Sequence, residues 1–410
     1  MPEMRIVLKY CGIINPDDIN TYLDRSGFKA LEKVQKEMTG PEVIKEIKAS
    51  GLRGRGGAGF PCGLKWEMAR ETKNSRKFVI CNADEGEVGT FKDRFILEHD
   101  PFSLIEGIAI AAYAIGAEQA YIYLREEYHF LLDRLKNAIA QASGKGFLSH
   151  LDVSIAEGAG SYICGEESAL MESIEGKRGE ARYRPPFPTV KGLFGMPTII
   201  NNVETLLNVP RIILNGSDWF KGLGTEKSKG TKVFSVSGDV ESPGIYELVL
   251  GSDLRELVVD IAKAKDVQVV QVGGASGRMI PANRLDTPLS YETVLGSGAV
   301  TVLDQSRDII DAVYQTMSFF KEESCGKCAP CREGTEAMVA ILRRLVNGDG
   351  VAEDIDDLEA LSEAMKLSSL CGLGQGAPTS VLDSLEHFKP EYEMRIGQSI
   401  SLRGLRGIKA

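Results

Sequence analysis

Three cysteines spaced three residues apart constrain this chain more than any other feature. The stretch SCGKCAPCREG places Cys325, Cys328 and Cys331 in one short segment, and SLCGLGQ supplies Cys371 forty residues further on. Thiolates at i, i+3 and i+6 on a tight turn can each reach a different iron of a cubane, and one distant cysteine closes the fourth corner. A fold that uses all four must bring these two segments to one point. The spacing favours a [4Fe-4S] cluster; a structural zinc, which usually pairs two C-x-x-C knuckles, and plain free thiols are the alternatives. Lys327 and Arg332, with Gly326, Gly334, Gly372 and Gly374, could offer charge and backbone N–H groups to cluster sulfurs, or be solvated charges and turn glycines.

The other cysteines, Cys11, Cys62, Cys81 and Cys164, are scattered singles. Eight in 410 residues are too few for a disulfide framework, and MPEMRIVLKYCG runs without a leader-like pattern into a helix start at Asn15-Pro16-Asp17-Asp18. A reducing, cytoplasmic setting is expected. The formal net charge of -10 argues against a nucleic-acid partner. The longest apolar run, Leu104 to Ala117, contains Glu106 and falls short of the roughly 20 residues a membrane span needs, so a buried helix and no direct membrane insertion are expected.

Helical and extended patterns alternate up to about residue 225, with KFVICN and AYIYL as strands and PFSLIEGIAIAAYAIGA as a helix. This alternation predicts an α/β domain over residues 1–225. The polar stretch GLGTEKSKG marks a boundary. The short extended pieces TKVFSVSG, GIYEL, VQVVQVGG and AVTVLD then surround one helix near 253–262, predicting a small β-rich domain over 226–305. From 306 to 410 the periodicity is helical only, which predicts a bundle carrying the cysteines.

Within GLRGRGGAGFPCGLKW, Gly54, Gly56 and Gly59 match G-x-G-x-x-G. A dinucleotide-binding turn follows a strand, whereas GPEVIKEIKASGL before these glycines has helical periodicity. The expectation is a loop whose N–H groups approach an anion in another geometry, with Arg53, Arg55 and Lys65 adding charge. Three further stretches stand out. CNADEGEVGTFKDR gathers Asn82, Asp84, Glu85 and Glu87 after a strand, where carboxylates and amides suit sugar hydroxyls and ring N–H groups, or form a solvated acidic loop. GAGSYICGEESALMESIEG puts Glu166 and Glu167 at a helix start, where capping alone explains one of them. PTIINNVETL places Asn201 and Asn202 before a helix, where an N-cap explains one asparagine. No Ser-His-Asp or Cys-His set is present, and His99, His129, His150 and His387 fall outside every motif and are expected at the surface.

With these stretches and the cysteines in the same order, the chain from about Pro41 to Phe388 resembles the NADH-oxidising flavoprotein subunits of respiratory complex I. That family includes the flavin subunits of NAD-linked [FeFe]-hydrogenases and formate dehydrogenases. The resemblance implies a Rossmann-like FMN- and NADH-binding domain, a ubiquitin-like β-grasp domain and a four-helix bundle with [4Fe-4S] on Cys325, Cys328, Cys331 and Cys371. FMN would be held by Gly54, Arg55, Gly56, Gly57 and Lys65; by Asn82, Asp84, Glu85 and Gly86; by Tyr162, Gly165, Glu166 and Glu167; and by Asn201, Asn202 and Thr205. NADH would meet Phe60, Glu87, Lys191 and Phe194, with Glu167 disfavouring the 2′-phosphate of NADPH. Met68 stands where a third aromatic is common, Val88 replaces a proline, and Cys62 replaces a threonine, which would put a thiol near the flavin. The implied partners are a thioredoxin-like [2Fe-2S] subunit and a larger iron-sulfur catalytic subunit, most readily a hydrogenase, with complex I and formate dehydrogenase as alternatives. A non-catalytic scaffold or relay module is the contrasting reading. The tail SLRGLRGIKA is short, basic and cysteine-free.

Overall fold

The computed structural model describes residues 4–397. Strands β1 (Phe78–Ala83), β2 (Gln119–Leu124), β3 (Asp152–Glu157) and β4 (Thr198–Asn202) form a parallel sheet in the order β3-β2-β1-β4. Strands covered on both faces read as apolar runs, and β1 shows why. Val79, Cys81 and Ala83 belong to a core shared with helices Pro101–Ile115 and Val203–Asn215. Phe78 and Ile80 belong to a second core that continues through Ile163 and Leu170 to Met317, Phe320 and Met338 of the C-terminal helices. The bundle is therefore packed onto the layer beside the sheet. This is a Rossmann-like α/β arrangement with a helical C-terminus.

The apolar run around Leu104 is a buried helix, as its composition predicts. Glu106, which interrupts it, is buried and accepts hydrogen bonds from the backbone of Phe28, Ala30 and Leu31, at the start of helix Lys29–Glu37. A Cβ at Gly107 would lie 2.4 Å from the Leu206 carbonyl oxygen, so glycine permits the close approach of helix Val203–Asn215. Among the described residues no helix is long and apolar enough to cross a membrane.

A second sheet follows: β5 (Thr231–Gly238), β6 (Gly244–Val249), β7 (Val267–Val272), β8 (Arg278–Pro281) and β9 (Ala299–Asp304), in the order β6-β5-β9-β7-β8. Strands β5 and β9 run parallel and the other pairs antiparallel. Four of these strands match the extended stretches of the sequence. Strand β8 does not, because four residues ending in proline carry almost no alternation. The expected helix near 253–262 contains a π-helical turn, Glu256–Ile261. GLGTEKSKG forms a tight bend, with Gly224 bridged to Lys229 and Thr225 and Lys227 bonded to Glu292.

Helices Ile309–Glu323, Ala329–Val346, Glu353–Ser368 and Thr379–Met394 make up the bundle. Pro330 sits in the first turn of the second, where its missing N–H leaves no helical bond unmade. His129 and His150 are exposed as expected, whereas His99 and His387 are half-buried, His99 bonding the Phe95 carbonyl at 2.8 Å. The basic tail lies outside the described residues.

Candidate functional site

Strand β1 lies between β2 and β4, so the chain order reverses direction beside it. Open α/β sheets bind ligands outside the carboxyl ends of strands at such a switch point. Asn82 stands opposite Asn202 there in the β1–β4 register. Asn82 accepts from the Asp84 N–H (3.1 Å) and donates to the Gly165 carbonyl (2.9 Å), drawing the turn Tyr162–Gly165 to the strand end. Asn202 caps helix Val203–Asn215 through the Glu204 N–H (3.0 Å) and donates to Asp93 (2.6 Å). Asn201, which capping left unassigned, is buried and accepts from the Trp66 indole N–H at 2.9 Å. Trp66→Phe keeps an aromatic ring but removes the indole N–H and part of the buried volume, orphaning that carbonyl oxygen; a loss of at least about 1–3 kcal/mol is expected in denaturant unfolding.

The glycine-rich loop joins helix Gly40–Ser50 to helix Cys62–Glu71, so its glycines follow a helix, as the periodicity predicts. The Gly54 N–H donates to the Phe60 carbonyl (2.9 Å), closing the loop on itself. A Cβ at Gly56 would lie 3.0 Å from the Asn202 Cβ, so the loop passes directly against the end of β4. The charge expected of Arg55 is not presented there. Its guanidinium is buried and donates to the Lys229 carbonyl (2.5 Å) and the Tyr291 hydroxyl (3.0 Å), while its N–H donates to Thr205 (2.8 Å). Arg55 therefore ties the loop to the second sheet, and Arg53 stacks on Tyr291 at 4.1 Å. Lys65, in the first turn of the helix that follows, remains as the cation beside the loop: its ammonium donates to the Ile200 carbonyl (3.0 Å) and to Glu167 (3.3 Å), leaving one N–H unassigned among the described residues. Cys62 is buried, 3.7 Å from the Asn201 amide, and burial pushes its thiol up to about 12. That thiol therefore lies beneath the loop rather than at its surface, and it is held in its neutral form.

The acidic stretch divides by role. Glu85 is buried and accepts from the Asp93 and Arg94 N–H groups (2.8 and 3.0 Å) at the start of helix Lys92–His99; burial and repulsion from Asp93 push its carboxyl up to about 7. Burial likewise pushes the half-buried Asp84 up to about 7, against the opposing charge of Arg125. Gly86 lies beside Tyr162, whose hydroxyl donates to Glu87 at 2.8 Å. Glu166 caps helix Glu167–Ile174 and pairs with Arg184 (2.9 Å). Glu167 pairs with both Lys65 and Arg184. Phe60 and Phe194 are 43% and 50% exposed, which core residues would not be, and Phe194 holds a φ of +51°. Met68 is also exposed, and exposed Lys191 makes no ion pair among the described residues.

The sequence reading missed the charges behind the asparagines. Lys92, almost fully buried, pairs with Asp93 (2.6 Å) and Glu204 (3.1 Å) and donates to Asn202 (3.3 Å); Lys232 of β5 pairs with Glu204 from the other side at 2.5 Å. Burial and the Lys92 charge push Lys232 down to about 7. The signal available was TFKDR, directly after the acidic stretch.

Cys325, Cys328, Cys331 and Cys371 line one pocket with Ile163, Ala181 and Leu373. All four thiols are free, and among the described residues no three His, Cys, Asp or Glu side chains are grouped for a single metal ion. Four thiols around a shared hollow fit a polynuclear cluster better than a mononuclear zinc. Burial, with repulsion from the other three sulfurs, pushes Cys331 up to about 11. The Leu373 and Gly374 N–H groups bond Cys371 and oppose the effect of burial there. Among the described residues the buried Ser369 hydroxyl, beside the Cβ position of Gly374, has no hydrogen-bond partner, which leaves it a donor available to the same centre. Lys327 lines the pocket, but its ammonium bonds the Ala181 carbonyl (2.8 Å). Arg332 is engaged by Gly326 and Glu333, and a Cβ at Gly334 would strike Met365, so that glycine serves helix packing.

Residues 47–211 match the Nuo51 FMN-binding domain, and residues 311–395 the NADH-ubiquinone oxidoreductase-F iron-sulfur binding region. The chain is 43% identical to the NADP-reducing hydrogenase subunit HndC of Solidesulfovibrio fructosivorans, covering 96% of this chain and 84% of that one. It is 45% identical to an NADH-quinone oxidoreductase chain of Rhizobium meliloti, the second of its F-type subunits, covering 95% and 97%. A solved NAD+-reducing [NiFe]-hydrogenase in the air-oxidized state superposes with a TM-score of 0.88 at 40% identity, covering 96% of this chain and 67% of that one. With both family models matched in order and relatives aligned along nearly its whole length, the chain belongs to the family of NADH-oxidising flavoprotein subunits that carry FMN and a [4Fe-4S] cluster in complex I-type enzymes and NAD-linked hydrogenases.

Proposed function

We propose that the cleft at the β1–β4 switch point binds FMN and NADH, and that Cys325, Cys328, Cys331 and Cys371 hold the cluster. FMN, when bound, supplies the conversion of a two-electron hydride donor into single electrons that the cluster can carry. The chain's own part is placement. Gly56 and Gly57 bring backbone N–H groups and Lys65 its spare N–H to the phosphate, while Gly54, Arg55 and Thr205 hold that loop in shape. Asn82, Asp84, Asn201 and Asn202 offer amide and carboxyl groups at the strand ends, with Glu85, Gly86, Gly165 and Glu166 shaping the wall behind them. Phe60 and Phe194 offer exposed faces for the nucleotide, and Glu87 and Lys191 polar contacts. The observation that carries this reading is the convergence of four separate motifs on one strand edge, with the cysteine pocket sharing their core.

The order β6-β5-β9-β7-β8, with β5 and β9 parallel, supports a β-grasp assignment for 226–305 between an α/β domain at 1–225 and a bundle at 306–410. Eight free cysteines favour a reducing, cytoplasmic compartment. We further propose a hydrogenase-type catalytic subunit and a thioredoxin-like [2Fe-2S] subunit as partners. The experiment is anaerobic reconstitution: the chain should take up one FMN and about four irons and reduce an artificial acceptor with NADH, and failure to take up flavin rejects the reading. Glu167→Gln removes a negative charge beside Lys65 and Arg184, so kcat/KM with NADPH should rise about two- to fivefold, an electrostatic change of the size of one exposed charge contact. Unchanged NADPH kinetics would take the selectivity role from Glu167.

A further inference from the structure

The turn between β7 and β8 reaches across to Glu87. The Ala275 N–H donates to Glu87 Oε1 at 2.7 Å, and the Ser276 hydroxyl to Oε2 at 2.9 Å. With the Tyr162 hydroxyl, three donors fill three of the roughly four acceptor positions of a carboxylate. Glu87 is half-buried, so the remaining position can be reached by a ligand N–H or hydroxyl. Glycine at 274 makes this grip possible, since a Cβ there would lie 2.2 Å from the Glu87 Cγ and the residue holds a φ of +83°. The same hairpin is fastened on its other side to the bundle that carries the cluster: Arg278 Nε (2.7 Å) and the Met279 N–H (2.8 Å) both donate to Asp383, and a Cβ at Gly376 would lie 3.1 Å from the Ser276 Cβ.

We propose that the β7–β8 hairpin is a positioning element for Glu87, in which Ser276 and Ala275 fix the carboxylate so that one acceptor position is kept for the nucleotide. The proposal rests on the reading of Glu87 as a nucleotide contact. The titratable group facing Glu87 is Tyr162, whose own N–H is held by Glu323 of helix Ile309–Glu323; the hairpin's charge, Arg278, is turned to Asp383. Burial raises the Glu87 carboxyl and the hydrogen bonds from Tyr162, Ser276 and Ala275 lower it, so removing one raises it further.

The test is Ser276→Ala in the flavin- and cluster-loaded chain. A hydrogen bond to a charged group corresponds to about one pH unit, so the acid limb of the NADH kcat/KM profile should move upward by about that amount, and NAD+ affinity followed by calorimetry should shift alike. Ser276→Thr, which keeps the hydroxyl, should restore both. An unmoved limb and affinity in Ser276→Ala, or no restoration by threonine, overturns the proposal. Glu87→Gln separates the two layers: it should abolish the limb, and a wild-type limb there would instead remove Glu87 from nucleotide binding, and this proposal with it.

Discussion

Replacing Cys328 with serine is expected to cut iron from about four per chain to near zero while leaving the flavin reducible by NADH. Electron delivery to any partner should be abolished, so NADH reduction of bound FMN and onward transfer come apart. The reason lies in how the four thiols are held. Cys331 and Cys371 are buried, and both thiols are raised, so without a cation among them the pocket favours neutral sulfur. Cys325 and Cys328 lie in a short segment between two bundle helices, with no disulfide to hold it closed. Ligand binding and local folding are then one event, and a lost ligand should also destabilise the bundle by several kcal/mol on the order expected for structural metal sites. Iron analysis, a denaturant melt and partner-reduction assays check the three parts. Retained iron with full electron delivery would contradict the ligand assignment.

Lys92→Met should be the most damaging single change away from the cysteines. Lys92 and Lys232 together balance Asp93 and Glu204 in a setting with almost no water access. Removing one partner of a buried ion set leaves an uncompensated charge and costs about 3–5 kcal/mol. The damage reaches the cleft, because Lys92 donates to the Asn202 carbonyl oxygen and Asp93 accepts from its amide. Unfolding in denaturant should show the stability loss, and fluorescence titration should show weakened FMN binding. A variant as stable as wild type would mean that Lys232 alone neutralises the site.

The parts legible in sequence were those with a local signature. Thiol spacing, the helix before the glycines and the strand-helix alternation each follow from short-range rules, and the structure has them where the periodicity puts them. The roles of Arg55 and Glu85 were not legible. Both stand inside motifs, yet Arg55 bonds Lys229 and Tyr291, far along the chain, and Glu85 is occupied by the backbone of the helix that follows. A charge in a motif says nothing about which way it points until the partner segment is placed. The Lys92–Glu204–Lys232 set was hidden for the same reason: its members come from three separate elements of ordinary composition. Strand β8 was missed because it is too short to show a period, although the turn before it carries Ser276.

On the proposed reading, this chain takes electron pairs from NADH at the switch-point cleft and passes them singly to the cysteine pocket. Anaerobic titration of the reconstituted chain with NADH, followed by flavin absorbance and by electron paramagnetic resonance, tests it directly. The flavin should bleach stoichiometrically, and a reduced-cluster signal should appear in the wild type and be missing from Cys328→Ser. A flavin that stays oxidised under NADH while dithionite reduces it, or a cluster signal unchanged in Cys328→Ser, would contradict it.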